Sequence, residues 1–290
     1  MKPPPFSYYA PTSVQEAVAL LGSLENARVL AGGQSLLPML NMRFATPDHV
    51  IDINRIPALT GIAVRDGEVV IGAMTRQRDL EFSPVIREHL PIMHEALQFV
   101  GHRQTRNRGT IGGSLCHLDP AAELPCVAAA HDAVVDVVSE NGAREIPFAE
   151  FPLGYLTPSL EPGEMVRAIR FPLWPTRTGA AFVEFARRHG DFAIVSVAAL
   201  VAMDADGAVE RASLTLGGVG SGPMRMHDVE DALIGKTLDA IAIKAAAESC
   251  GAIEVDDDPY TPVHYRKHLC RTLVVRALET AALRAQGSRS

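Results

Sequence analysis

Two short runs constrain this chain more than anything else in it: Ala31-Gly32-Gly33-Gln34-Ser35-Leu36 and Thr110-Ile111-Gly112-Gly113-Ser114-Leu115. Each sets adjacent glycines behind a small or β-branched residue and follows them with a hydroxyl and an apolar side chain. A Gly pair removes Cβ where backbone must turn sharply or approach something bulky. Consecutive unpaired N–H groups in such a turn form an anion-binding concavity, strengthened when a helix starts just beyond. Leu36 to Phe44 reads as that helix, with Ser35 as its N-cap and Pro38 tolerated in the first turn. One Gly-Gly alone is an ordinary tight turn. Two with matched flanks predict a pair of loops that clamp one diphosphate from two sides.

Bulk properties narrow the chemistry further. At 290 residues the chain is long enough for two or three domains with real cores. A net charge of −7 argues against a nucleic-acid partner, whose phosphates need a basic face. No apolar run reaches the length of a membrane span, and Met1-Lys2-Pro3-Pro4-Pro5-Phe6 is not an apolar signal segment. A cytoplasmic location is expected. Cys116, Cys126, Cys250 and Cys270 include no C-x-x-C, which excludes the usual iron–sulfur and structural zinc spacings. They read as buried small hydrophobes or inert thiols. Cys116-His117 is set aside as a nucleophile and base, because adjacent residues in an extended chain point apart. His264 and His268, four apart on an expected helix, lack a third ligand and read as a solvated face.

Along the chain, Ser13-Val14-Gln15-Glu16 is a capping-box pattern opening a helix through Leu21. Arg28 to Ala31 and Val50 to Ile53 read as strands around the Leu36–Phe44 helix, giving a compact β-α-β unit. Asp66-Gly67 joins the strands Ile62–Arg65 and Glu68–Gly72 as a hairpin. Thr75 is expected to cap a short helix, and a longer helix is expected from Val85 to Phe99. Gly101 to Ser114 reads as a polar loop, Leu124 to His131 as a helix, and Ala133–Ser139 and Glu164–Phe171 as strands around the Asn141-Gly142 turn. Pro172 to Thr176 is the best domain boundary. Beyond it come strands Ala181–Ala186, Ala193–Ala202 and Val209–Leu216, then helices His227–Leu233, Leu238–Cys250 and Pro262–Arg284. The fold class is α+β without a large parallel sheet. Gly217 to Gly222 imitates a dinucleotide fingerprint, but Pro223 stands where the third glycine belongs and no helix opens there.

Taken together, AGGQSLLPMLNMR, IGAMTRQRDL, RNRGTIGGS and DPAAELP resemble the FAD-binding medium subunit of the molybdenum hydroxylases. That family includes relatives of carbon monoxide, xanthine and nicotine dehydrogenases. The resemblance runs from about Phe6 to the last helix, and the two Gly-Gly runs, roughly eighty residues apart, are its specific mark. It implies a two-lobed, PCMH-type FAD-binding domain like that of vanillyl-alcohol oxidase relatives. The lobes would span 1–57 and 58–175, and a C-terminal domain of a three-stranded antiparallel sheet with helices would span 176–290. It also implies one FAD on this chain, molybdopterin on a large partner subunit and [2Fe-2S] clusters on a small one. Electrons would pass through FAD to an external acceptor, with no catalytic acid, base or nucleophile here. Two other readings of the residues are a self-contained flavin oxidase of the vanillyl-alcohol type and a flavin-less assembly subunit.

By the same resemblance, the runs Leu30–Leu36 and Gly109–Ser114 hold the FAD diphosphate and adjoining ribose. Glu123 looks like the acid that binds ribityl or ribose hydroxyls, a role suited to a two-oxygen acceptor. Its other reading is a carboxylate at a helix start, for which Asp119 is the closer fit as N-cap. Leu160 resembles the residue edging the isoalloxazine, and Arg187 to Phe192, with Arg188 and Phe192 as candidates, resembles the segment that reaches the flavin. Phe192 stands where some relatives place Tyr or Trp, and Val183 where the eukaryotic xanthine enzymes have Lys, which weakens the case for NAD as acceptor.

Overall fold

The computed structural model describes residues 1–257 and 259–287. Its contacts group into two compact units. One gathers Met1–Val85, His102–Leu118 and Ala133–Phe171, and the other gathers Ile86–Gly101, Asp119–Asp132 and the chain from Pro172 onward. The grouping is interleaved: 86–101 and 119–132, which lie inside the span 58–175, group with the C-terminal sheet.

In chain order the N-terminal elements are β1 (Ser7–Tyr9), α1 (Val14–Ser23), β2 (Ala27–Leu30), α2 (Leu36–Met42), β3 (His49–Asp52), β4 (Ile62–Arg65) and β5 (Glu68–Gly72). Helices α3 (Gln77–Phe82), α4 (Pro84–His89), α5 (Pro91–Ala96), α6 (Arg103–Arg108), α7 (Ile111–His117) and α8 (Glu123–Ala130) follow. Strands β6 (Val134–Ser139), β7 (Gly142–Pro147), β8 (Pro152–Gly154), β9 (Thr157–Pro158) and β10 (Met165–Pro172) come next. The chain closes with β11 (Thr178–Phe185), β12 (Val195–Met203), β13 (Val209–Gly217), β14 (Met224–Arg225), α9 (His227–Leu233), α10 (Ala240–Gly251) and α11 (Val263–Gly287).

In the first unit, β1, β3 and β2 form a parallel sheet in that order. Helix α2 is the crossover between β2 and β3, as parallel neighbours require. The capping box is real but offset at one bond. Ser13 accepts from Glu16 N, while the Glu16 carboxylate takes the N–H of Thr12 rather than of Ser13. A second sheet runs β4-β5-β10-β6-β7. Its β4–β5 hairpin turns through Asp66 and Gly67, both at positive φ (53° and 78°), the conformation that makes Asp-Gly a hairpin signal. Strand β7, absent from the sequence reading, extends this sheet from the Asn141-Gly142 turn.

Three local expectations need correction in this region. Thr75 caps nothing: its hydroxyl accepts from Gly61 N and donates to Gly61 O, and α3 begins two residues later. The helix expected from Val85 to Phe99 is two helices, broken where Leu90 (φ −131°, ψ 57°) precedes Pro91. A residue before proline is pushed out of the helical region, so the apolar periodicity carries on while the helix does not. The polar loop expected over Gly101 to Ser114 contains α6, a polar helix without an apolar stripe, and the first turn of α7, hidden because glycine is a poor helix former.

The second unit is built on the antiparallel sheet β11-β12-β13-β14, the three expected strands plus a two-residue fourth. All nine residues of β12 are buried, which is why Val195 to Met203 is apolar except for Ser196 rather than alternating. Both α8 and α11 pack on it. Helix α11 lies directly on β11, because a Cβ at Gly179 would sit 1.8 Å from Ala281 O. The Arg284 guanidinium adds a bond to Ala180 O and an ion pair with Glu95. After β13 the chain stays irregular until Met224, so no helix follows Gly217 to Gly222.

Candidate cofactor site

The first glycine run leaves the sheet at Leu30 and turns through Gly33, whose φ of +73° is the left-handed region that disfavours side chains. Among the described residues, the backbone N–H groups of Gly32, Gly33, Gln34, Ser35 and Leu36 meet no acceptor in the chain. Helical bonding begins only afterwards, with Leu37 N on Gly33 O and Met39 N on Ser35 O. Ser35 precedes α2 as expected but has helical dihedrals and makes no capping bond, so its hydroxyl is not used to close the helix. Gln34 turns back onto Gly32 O at 3.1 Å, which leaves its own N–H in the row. Native chains pair nearly all sheltered backbone donors. Five successive donors in a partly covered turn form an anion cradle.

The second run is different. Thr110 is the true N-cap of α7, with its hydroxyl accepting from Gly113 N at 3.1 Å. Ile111 N bonds Thr75 O, Gly112 N bonds Ala73 O at 2.9 Å, and Ser114 N bonds Thr110 O. Among the described residues Thr110 N meets no acceptor. For Ile111 to Ser114 the expectation that this run also presents free N–H groups is therefore corrected. Its glycines serve close packing: a Cβ on Gly112 would lie 2.7 Å from Ala73 Cβ and 2.8 Å from Ala73 O.

The two runs touch through backbone. A Cβ on Gly32 would sit 2.2 Å from Arg108 O and 2.9 Å from Gly109 Cα, so only glycine fits. Two side chains that sequence reading missed tie the same place together. Asn54 Nδ2 donates to Ala31 O at 2.8 Å, and Arg76 donates to Asn54 Oδ1 and to Arg108 O, each at 2.5 Å. Asp52 Oδ1 in turn accepts from Asn54, and Tyr8 OH donates to Asp52 Oδ2 at 2.6 Å. Burial works against the Asp52 carboxylate, but the Tyr8 and Asn54 bonds outweigh it and hold its pKa below the usual range. One signal for Asn54 was available. In the parallel pairing Leu30 lies opposite Asp52, so the residues that follow the two strands must emerge side by side.

Other candidates take these places. Leu160, half-buried, follows β9 in the first unit. Asp119 is not the cap of α8. Its carboxylate accepts from Ala121 N and its carbonyl from Ala122 N, closing a turn before the helix begins at Glu123. Glu123 is buried in the first turn of α8. Burial, then the neighbouring Glu123 charge, pushes Glu184 on β11 up to about 8. Arg188 and Phe192 lie in the loop between β11 and β12, both exposed, Phe192 at 65%. Val183 packs against the second unit's core. Cys116 has its thiol pushed up to about 12 by burial, which makes it a poor nucleophile. His264 and His268 are exposed, and among the described residues no three His, Cys, Asp or Glu are placed to hold a metal.

Comparison with known proteins shows which family the chain belongs to. The profile of the FAD binding domain in molybdopterin dehydrogenase matches residues 4–174, and that of the CO dehydrogenase flavoprotein C-terminal domain matches residues 180–281. The chain is 44% identical to the 6-hydroxypseudooxynicotine dehydrogenase complex subunit alpha of Paenarthrobacter nicotinovorans, covering 99% of this chain and 97% of that protein. It is 40% identical to the carbon monoxide dehydrogenase medium chain of Hydrogenophaga pseudoflava, covering 97% and 98%. A solved carbon monoxide dehydrogenase from that organism superposes with a TM-score of 0.94 at 41% identity, covering 98% of this chain and 99% of that one. The quinoline 2-oxidoreductase of Pseudomonas putida 86 superposes at 0.93 with 34% identity, each chain covered in full. These matches define a flavoprotein component of oxidoreductase complexes. The chain belongs to the FAD-binding medium-subunit family of the molybdenum hydroxylases.

Proposed function

We propose that this chain is the electron-transfer subunit of a heterotrimeric molybdenum hydroxylase, working in the cytoplasm with a large molybdenum-cofactor subunit and a small [2Fe-2S] subunit. Electrons reach its FAD from the iron–sulfur subunit and leave to an external acceptor. The observation that carries this reading is the row of five unengaged N–H groups from Gly32 to Leu36, packed against Arg108 and Gly109. Those groups fit a diphosphate, and Gly33 keeps the turn that aims them. The flavin supplies the redox chemistry when bound; the chain's part is to hold and orient it.

Within this proposal Leu30 to Leu36 bear on the diphosphate, and Gly109 to Ser114 wall the first run and adjoin the same cofactor, with the N–H groups of Ile111 to Ser114 engaged inside the protein. Glu123 accepts from ribityl or ribose hydroxyls, Asp119 fixes the turn that presents Glu123, Leu160 edges the ring system, and Arg188 and Phe192 belong to the flavin-facing loop. The test is to purify the full chain with and without its partner subunits. Alone it should bind one FAD, release it on denaturation, and oxidise no aldehyde, purine or N-heterocycle. Substrate oxidation should require all three subunits. Turnover by the isolated chain would reject the subunit assignment.

A further inference from the structure

We propose that Arg76 and Asn54 are positioning residues that set the separation of the two glycine runs and thereby the affinity for the diphosphate. The inference rests on the FAD reading above and goes beyond it, since neither residue belongs to either run.

The Arg76 backbone bridges Thr110 in an antiparallel pair, and its neighbours extend the seam: Gln77 N bonds Gly109 O and Ile111 N bonds Thr75 O. Arg76 is thus fixed to the second run by main chain. Its guanidinium then reaches Arg108 O with one arm and Asn54 Oδ1 with the other. The Asn54 amide hands the connection on to Ala31 O, one residue before the cradle begins. A planar, multi-donor guanidinium is suited to holding two acceptors at a fixed spacing, which a lysine ammonium does less well. Asn54 Nδ2 also donates to Asp52 Oδ1, and Tyr8 OH holds the Asp52 carboxylate, so the amide cannot turn away without breaking that further bond. Arg76 is half-buried, and among the described residues no carboxylate is in hydrogen-bond contact with its charge.

The experiment titrates the full-length, flavin-stripped chain with FAD and with ADP, which carries the diphosphate without the flavin. Arg76→Met and Asn54→Ala should each raise Kd for both ligands about tenfold or more, the loss expected for a charge-assisted or oriented bond. The double variant should be no more than about threefold weaker than the worse single one, because both changes break the same fork. Arg76→Lys keeps the charge and should fall between wild type and Arg76→Met, with an unfolding temperature close to wild type. A role in folding alone would lower that temperature and leave Kd of the folded protein unchanged. Folded Arg76→Lys and Asn54→Ala chains that bind FAD within about twofold of wild type would overturn the proposal, as would fully multiplicative losses in the double variant. A wild-type chain that binds neither ligand would instead reject the FAD reading on which the proposal rests.

Discussion

The two glycine pairs share a sequence pattern and differ in what their backbone does. At Gly32-Gly33 the glycines permit a left-handed turn and leave five N–H groups without acceptors. At Gly112-Gly113 every N–H is engaged by Thr75, Ala73 or Thr110, and the missing Cβ lets α7 press onto Ala73. The same two letters thus leave donors open in one place and serve packing in the other. A repeated motif identifies a repeated steric need, and only the hydrogen-bond partners reveal which need has a ligand behind it.

The difference is open to direct attack by substitution. Gly112→Val should give the largest effect, on the order of 3 kcal/mol of lost unfolding free energy in urea, because its branches run into Ala73 backbone. Gly33→Val meets only the flexible ends of Leu37 and Leu30, at 3.0 and 3.3 Å. It should lose about 1–2 kcal/mol to the positive φ and more than about tenfold in FAD affinity. If Gly112→Val folded normally and lost only flavin, the contrast between the runs would collapse.

A carboxylate of the second unit gives a pH signature that neither glycine run, lacking titrating groups, can produce. The folded pKa of Glu184 lies above its unfolded value, first through burial and then through Glu123. The folded state therefore holds this proton more tightly, and stability is lost as pH rises from about 4.5 toward 8. Relative to Glu184→Gln, the wild-type chain should lose on the order of 1–2 kcal/mol between those limits after solvent screening. Denaturation curves at pH 5 and pH 8 measure it, and identical pH dependence of the two chains would refute it. The smallest contrast is between two hydroxyls. Thr110→Ala should cost about 1 kcal/mol through the lost cap, and Ser35→Ala less than about 0.5, since Ser35 caps nothing.

Most of the architecture could be read from residues alone. The Asp66-Gly67 hairpin, the strands of the second unit and its three helices follow from turn chemistry and unbroken apolar pattern, and the structure has them within a few residues. Apart from the α4–α5 break, which the Leu90-Pro91 step makes locally, what was illegible comes from tertiary contact acting on weak local signals. Helix α7 forms in spite of two glycines because Thr75 and Ala73 carbonyls hold its first N–H groups. Thr75 has the composition of a cap and is drawn instead to Gly61. Of the site, the glycine runs were legible as a pair, whereas Asn54 and Arg76 were not. Their contacts join residues 23 and 32 positions apart or nearly so, beyond the reach of any local pattern.

Amide hydrogen exchange on the full chain, with and without FAD, tests the central claim most directly. Without FAD, the amides of Gly32 to Leu36 should exchange fast and those of Ile111 to Ser114 slowly, since only the latter are hydrogen-bonded within the protein. Adding FAD should slow the first group markedly and leave the second nearly unchanged. Fast exchange at Ile111 to Ser114 that FAD then suppresses, with no change at Gly32 to Leu36, would contradict the account and give the diphosphate to the other run.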